Sequence, residues 1–382
     1  MLLAVGVIAL GIALRLPDHI RFAVGRPRCA GSAELLALQR SRANDWTPTM
    51  LLLGQWTQIV GWWLLAGQGA LPAVAAALGV AVQFRHLQEI SHFAVHGVLA
   101  RTAGANQWLA EVFVHHPIAL GPARIRRVRH VREHHPNATV PGADPNLAEL
   151  ERAGLRPGLG TLRFALTVVH PLTPRGMGAT AATLRGNLRH HGAGRPLAAL
   201  GVLAAAHLVG GWPAAVCGVL VPRLLLYPQL AWLSLFVEHT WFDPEFRTGS
   251  PARTEAGRCL RLYPSNRFLA RVASTTWLPY GDLYHYAHSA HPGMRWNYLT
   301  AYERDLEQPH FMPSALVLGP ASVARRHLRA LAAGRGGTTP PNGRRAARAS
   351  GPTAQQIRRA PAAGPCPAPE PRCPGGRLSR PG

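Results

Sequence analysis

The stretch LPAVAAALGVAVQFRHLQEISHFAVH, residues 71–96, begins as an unbroken apolar run and ends in two histidines four positions apart. A helix from Leu71 to His92 rises about 32 Å at about 1.5 Å per residue, which is one hydrocarbon thickness. Such a helix crosses a bilayer and delivers His92 and His96 to its boundary. The preceding apolar run, 49–67, is separated from it by Gly-Gln-Gly-Ala at 67–70, so 49–67 and 71–92 read as a helical hairpin. The pattern recurs at 196–211 and 214–236 around Gly-Gly-Trp-Pro. Two hairpins make four expected spans. The fold class is all-α integral membrane, with a helical cap on the cytosolic side.

Orientation follows from charge. The hairpin turns carry none, whereas the stretch from Gly97 to Arg195 holds thirteen Arg against five acidic residues. By the positive-inside rule this stretch, both termini and everything beyond Phe236 face the cytoplasm. Composition agrees with a membrane setting: 47% of residues are hydrophobic and 15% charged, against about 25% charged in a soluble domain. The formal charge of +23 is carried by 41 basic residues that are all Arg, and nine of these fall after Gly334 in a Pro- and Gly-rich tail. Charge by itself therefore names no nucleic-acid partner. The expected organisation is an interfacial or cytosolic segment 1–48, a membrane domain 49–333, and a disordered tail 334–382. Within 1–48 the opening apolar stretch is expected to lie in the interface or insert partly. The five cysteines lack any CxxC pairing and suggest neither a disulfide framework nor a zinc site. Arg223 lies inside the fourth span, where it either faces the bundle or touches a polar part of a ligand.

Four histidine clusters fall on the expected cytoplasmic side. His92 and His96 share a helix face, with Glu89 one turn earlier. In RHVREHHPNATVPGADP, residues 129–145, His130 and His134 share a helix face and His135 lies beside them. His239 follows the fourth span, and His285, His288 and His291 are spaced three apart. One HxxxH is weak, but four clusters sorted to one membrane face point to metal. Eight or nine imidazoles exceed one tetrahedral zinc site. Imidazole also suits iron, and two ions would keep positions open for dioxygen, so a dinuclear iron centre is the economical reading. Glu89, Asp144 and Glu238 are candidate carboxylates that orient ligand imidazoles from behind. His115 and His116 are expected at the membrane surface. His86, His170, His190, His191, His207 and His310 have no partners in register and are read as structural.

The order HxxxH, HxxxHH, a Glu-His pair after the last span, then HxxH followed by Pro resembles the membrane fatty-acid desaturase and hydroxylase superfamily over about residues 49–303. The resemblance implies that His92, His96, His130, His134, His135, His239, His285 and His288 bind two irons. The last box departs from HxxHH: Ser289 stands in the third position, and His291 is expected to substitute for it. The His-Ser order is also similar to that of alkane monooxygenases. What the resemblance implies is dioxygen-dependent desaturation of a fatty acyl chain or related lipid at the membrane. The alternative is hydroxylation of an alkane, lipid, carotenoid or secondary metabolite by the same centre. Electrons would come from outside, from a ferredoxin or rubredoxin with its reductase, because no CxxC, flavin or nicotinamide fingerprint is visible. The expected location is a bacterial-type inner membrane.

Overall fold

The computed structural model describes residues 1–334, so the expectation of a disordered tail falls almost wholly outside the described residues. These residues are helical throughout, joined by loops with three isolated bridges and no strand. The first four helices are α1 (Leu2–Ala23), α2 (Ser32–Arg42), α3 (Thr47–Ala66) and α4 (Ala70–Val95).

Three helices among the described residues are long and apolar enough to cross a membrane: Leu2–Ala23, Ala70–Val95 and the run Gly194–Glu238. The first falls in the segment read as interfacial or partly inserted, and it is long enough to cross entirely. α1 leaves Leu2 89%, Leu3 69% and Val5 55% exposed, an apolar surface that suits lipid and not water. Its other face is seated on α3 through small residues. A Cβ on Gly54 would stand 2.6 Å from the Gly11 carbonyl, and one on Gly61 would stand 2.6 Å from Ile8. Backbones approach this closely only where side chains are absent, which is how helices gain contact in lipid. α3 begins with Asn44 Oδ1 accepting from the Thr47 amide at 3.0 Å and with Pro48 in its first turn. Gln55 and Gln58 interrupt its apolar run, and both are buried; α3 is not among the three apolar candidates.

The second hairpin breaks where its glycines lie. Gly210 and Gly211 leave helical geometry, Gly211 at φ 67, a value that favours a residue without Cβ. The chain turns back there, as its two arms show. Arg195 Nε donates to the Leu120 carbonyl at 2.8 Å, and Arg223 Nε donates to the Ile118 carbonyl at 2.5 Å. Two residues far apart along a continuous helix could not both reach one loop. Arg223 thus faces protein, and its charge is absorbed by carbonyls of a neighbouring segment. Beyond it the helix Tyr227–Glu238 runs on toward the histidines.

One apolar core surrounds α3 and α4; a second gathers Leu147, Leu150, Trp232, Phe236, Trp241, Leu260 and Val323. The helix Tyr227–Glu238 joins them, with Tyr227 in the first and Trp232 and Phe236 in the second. Trp63, Trp232 and Trp241 are buried and bond to carbonyls of Gly218, Thr167 and Leu235, whereas Trp212 is 71% exposed.

Candidate metal centre

Five helical segments converge at the inner end of α4. From residue 89 to 95 every side chain of α4 is buried, so His92 enters a closed interior. His96 follows as the helix C-cap. The box at 129–145 folds as a π-helix, Val128–His134, in which the His135 amide bonds back to the His130 carbonyl five residues earlier. That winding changes which histidines face together. His130 and His135, one wide turn apart, join His92, His96 and His288 in one group. His134, whose ring stacks on that of His130 at 5.3 Å, joins Glu238, His239 and His285 in a second. Within each group the ligand atoms lie within 4.8 Å of one another. π-turns of this kind recur at functional sites.

The two groups adjoin. The ring centroids of His134 and His135 are 5.5 Å apart and those of His285 and His288 are 5.8 Å apart, each pair dividing between the groups. The short helix His285–Ala290 supplies one ligand to each. It ends before His291, which takes an extended backbone (φ −147, ψ 79) as C-cap. His291 consequently belongs to neither group, and its ring lies 6.2 Å from that of Tyr302. The structure does not bring it into the position left by Ser289.

Three carboxylates were expected behind the ligands, and two stand there. Glu89 Oε1 lies 2.6 Å from His92 Nδ1, and Asp144 Oδ1 lies 2.9 Å from His134 Nδ1. Asp144 also accepts from the amides of Thr139 and Asn146, each at 2.9 Å, so it caps the helix Pro145–Ala153 while holding the imidazole. This is the structural use of the Asp-Pro after the second box. Glu89 is fixed in turn by Arg85, which bonds Ser234 and Asp282 across to the neighbouring helix and loop. Glu238 differs from expectation: it stands among the donors of the second group and not behind them.

Cys259 gave no signal in the sequence. An antiparallel bridge between His239 and Cys259 brings its Sγ to 3.3 Å from His239 Nδ1. The thiol is fully buried and donates to Glu255 Oε2 at 3.4 Å, and burial pushes its pKa up. His239 is therefore held from behind by sulfur, where His92 and His134 are held by carboxylates. Arg126 was also missed; its Nη1 bonds Gln88 O at 3.0 Å and Ser91 Oγ at 2.6 Å, tying the second box to α4.

The donor set fits a metal. Burial, reinforced by neighbouring imidazoles, holds His96, His130, His135, His239, His285 and His288 well below the ordinary histidine range, as neutral rings with a free lone pair. These lone pairs converge. His92 Nε2 lies 2.6 Å from His130 Nε2 and 3.2 Å from His96 Nε2, while His285 Nε2 lies 3.3 Å from His239 Nε2. His134 Nε2 and both ring nitrogens of His288 are buried with no hydrogen-bond partner. Buried imidazole nitrogens converging in this way suit a cation, which would take several of their lone pairs at once.

The remaining histidines have other partners. His86 Nε2 lies 3.1 Å from the Thr275 carbonyl and His327 Nε2 lies 3.1 Å from that of Phe236. His115 is buried against the Gly121 carbonyl, not at a membrane surface, and His116 lies 3.5 Å from Glu111.

A helical bundle with three helices apolar enough to cross a membrane and two adjoining histidine groups that could hold metal defines a class: membrane proteins with a histidine-rich metal-binding centre. The chain matches the family model described as fatty acid desaturase over residues 62–317, more than half its length, and it belongs to that family. Membership makes it an oxidoreductase of the desaturase and hydroxylase type. No curated protein matches it.

Proposed function

We propose that the protein is a di-iron desaturase that uses dioxygen to remove two hydrogens from an acyl chain at the membrane, with its site facing the cytoplasm. The observation that supports this most is the partition of eight histidines and Glu238, drawn from five segments, into two adjoining groups. Nine donors exceed what one zinc ion takes and leave two irons each with room for an exogenous ligand. The first group would be held by His92, His96, His130, His135 and His288, the second by His134, Glu238, His239 and His285.

When bound, iron supplies the activation of dioxygen and the cleavage of an unactivated C–H bond. The chain supplies the rest. Glu89 and Asp144 hold His92 and His134 with Nδ1 protonated, so that Nε2 faces the metal. Glu238 offers a carboxylate oxygen to the second group. The burial of His134, His239, His285 and His288 excludes bulk water, which protects reactive species from side reactions. Electrons come from a separate donor, a ferredoxin or rubredoxin with its reductase.

The test is iron analysis of the purified chain together with mass spectrometry of lipid extracts from a host expressing it, against His134→Ala. About two irons per chain and a product lighter by two hydrogens support the proposal. A product that gains oxygen moves the assignment to hydroxylase; zinc, or a single metal per chain, overturns the dinuclear centre.

A further inference from the structure

Beside the metal groups lies a cavity of about 820 Å³, within the size range of small-ligand sites. Five arginines line it: Arg126, Arg129, Arg152, Arg175 and Arg223. Glu149 is its one acidic residue, and it pairs with Arg129. Among the described residues no carboxylate pairs with the other four. Two of those are already fixed, Arg126 by Gln88 and Ser91 and Arg223 by Ile118 and Ala119. Like charges held around a partly enclosed space raise the local potential and favour an anion. Guanidinium groups match the oxygens of phosphate or carboxylate in particular.

Two further observations narrow the ligand. The lining also carries apolar and aromatic side chains, Leu120, Tyr227, Ala231 and Trp232, so the ligand is amphiphilic. His115 also lines the cavity; it is fully buried, its Nδ1 is bonded to the Gly121 carbonyl, and its Nε2 has no partner. With Nδ1 donating, Nε2 is an acceptor that a hydroxyl or amide N–H on the ligand would satisfy. The cavity reaches Gln88, one helical turn before His92.

We propose that this cavity receives the anionic head of the acyl substrate, a phosphate or carboxylate, with the arginines gripping the head and the Trp232 wall receiving the start of the chain. The proposal rests on the desaturase reading, since it names the substrate class of that enzyme. It is tested by equilibrium binding to the full-length, metal-loaded protein in nanodiscs of phosphatidylcholine, using dodecyl phosphate, dodecanoate and dodecanol as probes. The anionic probes should bind at least about tenfold more tightly than dodecanol and weaken as salt rises. Arg152→Gln with Arg175→Gln should remove most of that preference, leaving dodecanol affinity and metal content unchanged. Equal affinity for dodecyl phosphate and dodecanol, or an unaltered preference in the double variant, overturns it. Replacing part of the bilayer with phosphatidylglycerol separates the sources, because loss of probe binding identifies a membrane lipid as the natural head and its persistence identifies a soluble conjugate. If the iron and product tests succeed while the charge preference is missing, this proposal fails alone. If the preference is found without iron or product, the desaturase reading fails instead.

Discussion

His288 and His291 stand three residues apart on one short motif, yet one lies in a histidine group and the other beside Tyr302. His291→Ala should therefore keep the full metal content of the parent, while His288→Ala, which removes a donor of the first group, should lose at least one metal per chain; metal analysis of the two purified variants decides it. Asp144→Asn keeps the helix cap but removes the charge behind His134, and metal affinity should fall about 10–100-fold, read by competition with a chelator. At His239, Cys259→Ser preserves a polar partner for Nδ1 and Cys259→Ala removes it. The alanine variant should lose metal from the second group at chelator concentrations that the serine variant withstands. Glu303 permits a test of pH dependence. Its Oε1 lies 3.0 Å from Arg261 Nε, its Oε2 is buried without a partner, and burial raises its pKa from 4.5 to about 7. A carboxyl raised on folding stabilises while it is protonated, so its contribution is fully present below pH 4.5 and is lost as pH rises through 7. Glu303→Gln should flatten the fall in Tm across that window, removing at most about 3 kcal/mol of pH-dependent stability. Among these residues, legibility in the sequence tracked locality. His92, His96, His134 and Glu89 could be read because their relations lie within a helical turn or a single motif. Cys259 could not, because its proximity to His239 is set by a bridge between segments twenty residues apart.

Among elements, α4 and the long run that breaks at Gly210 and Gly211 were legible and their neighbours were less so. Apolar length and the glycine turns marked α4 and both arms around Gly210 and Gly211, because a bilayer imposes a fixed length on whatever crosses it. The π-helix Val128–His134 was not legible, because sequence periodicity defaults to 3.6 residues and carries no signal for a wider turn. The seating of α1 on α3 was also hidden, since glycine in an apolar run carries no hydrophobic signal. Its consequence is testable. In Gly54→Leu the new side chain would begin 2.6 Å from the Gly11 carbonyl and 2.8 Å from Arg15, so α1 must move or strain by about 1–3 kcal/mol or more. Thermal melting in detergent should show a clear drop in Tm, and an unchanged melt would mean that α1 does not hold this position on α3.

For the molecule as a whole, the seat of α1 on α3 gives a testable expectation for how the chain threads a bilayer. Along the contact, Ile8 and Ala4 meet Gly61, whereas Leu14 and Arg15 meet Gly54, so the two helices run antiparallel. The far end of α1 is anchored at the histidine side: Asp18 is 1% exposed and pairs with Arg295, which also bonds the carbonyls of Val98 and Leu99 just past His96. Residue 1 then lies about 26 Å away along the helix, level with the turn at Gly67, on the face opposite the metal groups. Charge agrees, since Arg15 and Arg21 lie in the later half of α1 and Arg26 and Arg28 follow it, whereas residues 1–14 carry no charged side chain. The sequence reading placed both termini in the cytoplasm, because it counted only the four spans after residue 48. The length and composition of α1 allow it to cross as well; on that reading an epitope fused at the N-terminus should be cut by protease added to intact spheroplasts, while one fused at the C-terminus should be cut only after lysis. Protection of both would return α1 to the interface and overturn this threading.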